Sequence, residues 1–417
     1  MRRVLLIFMA AALVWAQSGS RDLESFDIVW QTVRDTHWQK QPGGLDWDAI
    51  RAEYRPRAEK AATTDEARAV MMEMLRRLKQ THFGIVPGTI YTAIDADAPA
   101  GLAGPGIELR ALGGEAVVTA VDPDSSATRS GVHPGWVVVS ARGRELKPLI
   151  EQAATNPEIH ELQLTRSLMA RLTGYTREPL DVTFRDGGGG MVTLRLELGA
   201  PRGTLTEFGN LPATYVWYEE KRLGNVGYVR FNAFLDIPKL MPAFQKSIEG
   251  CKTCSGLIID LRGNPGGIGG MAMGMAGFLI DRPGQRLGTM STRDTALNFV
   301  VNPRLPAFNG PVAVLIDGTS ASTAEIFAGG LQDLKRARVF GTRSAAAALP
   351  SVFMRLPNGD GFQYAIANYV SAGGKTLEGE GVRPDEEVRL TAEGLLAGHD
   401  AVIDVAVAWI DKQGGKK

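Results

Sequence analysis

The sequence predicts a multidomain α/β protein: an N-terminal helical segment, a β-rich middle and an α/β core. Three observations predict it. Apolar residues recur at three- and four-residue spacing in the front part, short strands broken by glycine turns fill Gly101 to Leu198, and from Asn225 strand-like and helix-like runs alternate. With 417 residues, 44% hydrophobic and 22% charged, the chain is long enough for two or three such units.

The first stretch, MRRVLLIFMAAALVWAQS, has two arginines, an apolar run and small residues at Ala12 and Ala16, and so reads as a secretory signal over residues 1–17. Its apolar run is short for a bilayer, which implies cleavage without stable membrane insertion and a secreted or periplasmic protein. A helical domain over 18–95 follows. FDIVWQTVRDTHW, DWDAIRAEY and TTDEARAVMMEMLRRLKQTHFGIVP carry helical periodicity, Thr64 with Glu66 marks a helix start, and Lys79 and His82 fall where cations suit a helix C-terminus. An Ala/Pro/Gly-rich stretch from Thr89 to Pro105 marks the boundary.

In the middle unit, 96–200, short strands surround a Gly-Val-His-Pro-Gly turn, helical residues insert from about Leu149 to Leu172, and PLDVTFRDGGGGMVTLRLEL forms a hairpin closed by Gly187 to Gly190. This order resembles a PDZ domain, chiefly through Ser125 to Val139. The resemblance implies a polypeptide ligand, its end added as a strand beside Gly106, Ile107, Glu108 and Leu109. The core, 205–392, reads VGYVRF strand, IPKLMPAFQKSI helix, GLIIDL strand, GGMAMGMAGFLI helix, PVAVLID strand and AEIFAGGLQDL helix. ARVFG and GFQYAIANYV follow as strands, and DAVIDVAVAWI is a final helix within 393–417. Such alternation implies largely parallel strands with the chemistry at their C-terminal ends.

Lysine plus arginine (46) equal aspartate plus glutamate (46), so no overall field gathers nucleic acid, which is excluded as a partner. Cys251 and Cys254, spaced C-K-T-C, suit a small disulfide loop in an oxidising compartment better than a redox or zinc site. His37, His133, His160 and His399 lie in no readable motif.

The segment DGTSASTAEIFAGG puts Ser320 and Ser322 between a buried strand and a helix. Ser322 with Glu325 is a capping-box pattern, which needs no catalysis. The same turn lies at the positive end of a helix, where free amides can hold an oxyanion. A second turn, LIIDLRGNPGGIGG, brings Gly266 and Gly267 to a corresponding place. It lacks the Gly-Lys-Ser/Thr ending of a phosphate cradle, so an oxyanion hole fits it better.

DLRGNPGG, SASTAEIFAGGLQD, RARVFGTR and LEGEGVRPDEEV in this order resemble the C-terminal-processing (tail-specific) serine peptidases and their tricorn-core relatives, over Asn225 to about Leu390. The resemblance implies a crotonase-like α/β peptidase core, a polypeptide substrate, no metal or organic cofactor, and Ser322 as nucleophile. The better-known branch activates its serine with a lysine, and that position is Ala347 here. Lys375 lies in a surface turn. The histidine of the tricorn-like branch maps onto His82, with Thr81 and Glu378 completing the set; Glu380, two residues on, competes with Glu378. His82 would take the Ser322 proton and return it to the leaving amine, with Gly266, Gly267 and Thr323 supplying oxyanion amides. The alternative is a catalytically inactive peptide- or lipophile-binding protein on the same fold.

Overall fold

The computed structural model describes residues 2–92, 103–156 and 159–414, with side chains described over 19–91, 103–156 and 159–413. Helix α1 (Arg2–Thr36) is continuous, so the boundary expected at 17 falls inside it, where side chains are not described. Helices α2 (Trp47–Glu59) and α3 (Thr64–Arg76) pack on it. Both begin at side-chain caps: Asp46 accepts from the Ala49 amide at 3.0 Å, and Thr63, one residue before the expected start, accepts from Glu66 at 3.2 Å. Phe26, Val29, Trp30 and Val33 of α1 meet Trp47, Ile50, Met71 and Met74 in a closed core. Helix α3 stops at Arg76, and the chain turns through left-handed Lys79 (φ 52°) and His82 (φ 60°) into β1 (Gly84–Val86). His82 is therefore not the helix-terminal cation that its spacing suggests.

The middle unit has β2 (Ile107–Leu112), β3 (Glu115–Val121), β4 (Val137–Ala141), helices α4 (Lys147–Thr155) and α5 (Glu161–Met169), β5 (Pro179–Arg185) and β6 (Met191–Glu197). The strands form an antiparallel sheet in the order β2-β3-β4-β5-β6, and Arg185 pairs Met191 across the glycine turn read from the sequence.

The core is built on β7 (Tyr218–Leu223), β8 (Val226–Phe231), α6 (Ile237–Gly250), β9 (Gly256–Asp260), α7 (Gly269–Ala276), β10 (Val312–Ile316), α8 (Thr323–Asp333) and β11 (Arg338–Gly341). Hairpin strands β12 (Ser351–Arg355) and β13 (Gly361–Ala365), short β14 (Glu386–Glu387) and α9 (Ala401–Gly414) follow. The sheet runs β7-β8-β9-β10-β11-β14, parallel from β8 onward. Both faces are covered, which is why GLIID and VAVLI are buried along their whole length. Leu257, Ile259, Val312 and Val314 face α6, α7 and α8, while the alternate residues Ile258, Ala313 and Leu315 face Val402, Ala406 and Ile410 of α9. Cys251 and Cys254 are disulfide-bonded just past α6.

GFQYAIANYV is not one strand. Gly361–Ala365 pairs with β12 and β1, whereas Asn368–Ser371 joins a different sheet. Residues 351–365 thus cross the expected domain boundary and pack with the front helices through Leu356 and Phe362. Buried Asp360 fixes the join: it accepts Arg68 Nε and Nη2 at 2.9 Å each and the Gly88 amide at 2.8 Å. The middle unit is tied to the core by Arg110–Asp317 and Arg230–Glu108, each at 2.8 Å.

Replacing one partner of a buried pair leaves the other uncompensated, a loss of about 3 kcal/mol or more. Asp360→Ala is therefore expected to lower the urea midpoint by an equivalent amount at unchanged slope. A shift worth less than about 1 kcal/mol would show that the hairpin does not depend on this carboxylate.

Candidate active site

Ser322 sits between the end of β10 and the first turn of α8, in the unusual conformation φ 54°, ψ −118°. A non-glycine residue held there costs on the order of 1–3 kcal/mol, so the surroundings must over-determine it. They do. The Ser322 amide donates to the Ala347 carbonyl at 2.7 Å and to Glu325 Oε2 at 3.0 Å. The Glu325 amide in turn donates to the Ser322 carbonyl oxygen at 2.9 Å. Buried Glu325 also accepts from Ser344 Oγ and from the amides of Ala346 and Ala347. Burial pushes its carboxyl up to about 7, against the pull of those hydrogen bonds. The capping-box pattern thus understates Glu325, which clamps the serine turn to the strap Ser344–Ala348. Ser320 is structural: its hydroxyl donates to Leu261 O at 2.8 Å and accepts from the Asp317 amide at 3.0 Å.

The glycine turn lies against this serine. A Cβ on Gly266 (φ +99°) would stand 2.7 Å from Ser322 Cβ and 2.8 Å from the Thr323 nitrogen, so only glycine allows the approach. The Gly266 amide, however, donates to Asn264 Oδ1 at 2.9 Å. The expectation that it serves as an oxyanion donor is therefore corrected: it braces the turn. The amides of Gly267 and Thr323 have no acceptor among the described residues, and Thr323 Oγ1 donates to Gly267 O at 2.7 Å, joining the two turns.

Half-buried His82 reaches the site from the front unit. Glu378 accepts from the Thr81 amide (2.7 Å), from Thr81 Oγ1 (2.8 Å) and from the Ala348 amide (3.1 Å). Thr81 Oγ1 stands 2.8 Å from His82 Nδ1. The threonine hydroxyl has one proton, which it gives to the Glu378 carboxylate, so Nδ1–H donates to threonine and Nε2 keeps a free lone pair. Burial lowers His82 to about 4, with Arg166 adding to the effect, while burial raises the Glu378 carboxyl against its hydrogen bonds. The imidazole is neutral at neutral pH, as a proton acceptor must be. No hydrogen bond joins it to the Ser322 hydroxyl among the described residues. Both halves nonetheless meet on the strap, where Ala347 holds the Ser322 amide and Ala348, the next residue, holds Glu378. Glu380 is exposed and lies 3.7 Å from Arg383, so Glu378 is the carboxylate joined to Thr81. Lys375 is exposed in its surface turn and pairs there with Asp333 at 3.1 Å.

The strand expected beside a peptide lies at the edge of its sheet, with its side chains already engaged. Ile107 and Leu109 are buried in the middle unit's core with Leu164 and Leu168 of α5, Glu108 pairs with Arg230, and Gly106 (φ +81°) packs on Ser125. The backbone of edge strand β2 is what remains to meet a peptide.

Residues 225–388 match the model for peptidase family S41, and residues 23–76 match the tricorn protease C1 domain. The chain carries a serine-type peptidase domain of family S41. It is 24% identical over 91% of its length to a chloroplastic C-terminal processing peptidase of Tetradesmus obliquus, spanning 80% of that protein. A carboxyl-terminal-processing protease of Picosynechococcus sp. is likewise 24% identical, over 86% of this chain and 81% of the relative. The solved photosystem II D1 C-terminal processing protease has the same fold: TM-score 0.57, 21% identity, covering 91% of this peptidase and 98% of that chain. Among the described residues no helix is long and apolar enough to cross a membrane.

With His82 as the base, burial that holds its ring near 4 rather than 6.5 should keep kcat/KM of the peptidase level as pH falls to about 5 and drop it around 4. A limb at 6.5 would contradict the assignment. Thr81→Val should lower kcat by about 100-fold or more with KM little changed, as expected when a base loses its orienting partner.

Proposed function

We propose that this peptidase is an exported serine endopeptidase in which Ser322 is the nucleophile and His82, oriented by Thr81 and Glu378, is the general base. The observation that carries this reading is the Glu378–Thr81–His82 chain ending on the strap that holds the Ser322 amide. Ser322 Oγ attacks the scissile carbonyl carbon while His82 Nε2 takes its proton. The oxyanion rests on the amides of Gly267 and Thr323. His82 then protonates the leaving amine, and the C–N bond breaks to give the acyl-enzyme. Water attacks the ester, its proton passes through His82 to Ser322, and the acid product leaves. An amine base is not needed in this scheme, so Ala347 at the lysine position is compatible with activity and favours no inactive binder.

The middle unit is read as PDZ-like and the core as crotonase-like, with a polypeptide substrate engaged near its C-terminus. Export is supported by the N-terminal MRRVLLIFMAAALVWAQS and by the Cys251–Cys254 disulfide, which suits an oxidising compartment.

A serine-directed fluorophosphonate should label the wild-type protein and leave Ser322→Ala unlabelled at unchanged thermal midpoint. A correctly folded wild-type protein that takes no label would remove the nucleophile from this scheme.

A further inference from the structure

His37, which the sequence leaves without a motif, is fully buried in the front unit. It is the first residue past α1, and its amide closes the helix on Val33 O at 3.1 Å. The Gln39 amide donates to His37 Nδ1 at 3.0 Å, so the single ring proton of the neutral imidazole is on Nε2, which donates to Gln80 Oε1 at 2.8 Å. Burial, with Arg293 adding to it, lowers the His37 pKa below its usual 6.5 against those two hydrogen bonds, which keeps the ring neutral at neutral pH. The ring also stacks with Trp38 and Phe83, centroids 4.0 and 5.8 Å away. One buried imidazole thus grips the residue two before His82 and the residue one after it.

The backbone between those two grips needs them. Lys79 and His82 both have positive φ, a conformation that a non-glycine residue keeps only when its surroundings over-determine it. Glu378 holds Thr81, and His37 holds Gln80 and Phe83. His37 is in turn tied to the core. Arg293, in the turn between the strands Arg286–Ser291 and Ala296–Val300, donates through Nε and Nη2 to His37 O at 3.1 and 2.9 Å, and through Nη2 to Arg34 O at 2.8 Å. These carbonyls are of the kind that the last turn of a helix leaves open. A continuous path therefore runs from a hairpin of the core, through one histidine, to both sides of another.

We infer that His37 is a positioning residue for the peptidase reaction: anchored on the core by Arg293, it holds the turn Gln80–Phe83 so that His82 stands desolvated and aimed at Ser322. The inference rests on His82 being the general base. Without His37 the turn keeps its tether at Thr81 but gains freedom on either side of it, and His82 spends time away from Ser322 and nearer to water. Slower proton transfer and easier protonation of His82 should then appear together, because burial is what depresses that ring.

The test uses the full-length protein with its histidines carbon-labelled at Cε1, the His82 signal being assigned by its loss in His82→Gln. His37→Phe keeps an aromatic ring for Trp38 and Phe83 but no donor for Gln80. Gln80→Leu removes the acceptor instead, at a half-buried position where the fold depends less on the side chain. The readouts are the NMR titration of His82, kcat and KM, with the thermal midpoint measured alongside. Wild-type His82 should not titrate between about pH 7 and pH 5, whereas in both variants it should titrate within that range. In the same variants kcat should fall at least about tenfold with KM little changed, and the acid limb of kcat/KM should rise with the NMR value. The double variant should lose no more than the worse single one, as expected of two groups acting through one hydrogen bond. A His82 titration unchanged in the folded variants overturns the inference and leaves the general-base reading intact. A titration that moves while the kinetic limb stays in place removes His82 as the base, and the inference with it.

Discussion

The strap Ser344–Ala348 is the constraint on which the site depends. One of its edges holds Ser322 and Glu325, and the other reaches Glu378 through the Ala348 amide. Neither side chain of the candidate pair is positioned by its own element alone. Ser322 is kept at a positive φ by two acceptors on its amide, and His82 is oriented by a carboxylate from a loop far along the chain. Ala347, where the resemblance puts the lysine of the better-known branch, fits this plan, because a small buried residue lets the strap's backbone, rather than a side chain, do the joining.

His82 comes from the front unit and Ser322 from the core, so the site exists only where those units are locked together. The hairpin of β12 and β13 provides the lock by completing the front unit's sheet, with Asp360 drawing α3 and the residues after β1 onto it. Arg110–Asp317 performs the same task for the middle unit, at the turn that precedes Ser322. The stability of these contacts and the position of His82 are therefore coupled: under the proposed mechanism, a substitution that loosens the hairpin acts on chemistry through that position.

Much of this was legible in the sequence. Strand and helix alternation placed the core elements, and the serine segment, the glycine turn, His82, Thr81 and Glu378 were all singled out. The failures have physical causes. Strand patterns carry no record of their partners, so residues 351–365 were assigned to the core that encodes them rather than the unit they complete. The Gly266 amide looked free because its acceptor is the side chain of Asn264, two residues back, which backbone spacing does not reveal. Ile107 and Leu109 are named through the PDZ resemblance, which concerns the backbone beside a peptide and says nothing of their side chains, buried in the unit's own core. The SxxE signal pointed to Glu325, but only the fold shows its carboxylate gathering the strap.

In the proposed mechanism the imidazole from the front unit serves the serine of the core. A crystal structure of the phosphonate adduct tests it most directly, since the adduct mimics the tetrahedral intermediate. His82 Nε2 should lie within about 3 Å of Ser322 Oγ or a phosphonyl oxygen, with Nδ1 still on Thr81 and the other phosphonyl oxygen on the amides of Gly267 and Thr323. An adduct in which the ring lies beyond hydrogen-bond reach, and another side chain contacts Oγ, would contradict it.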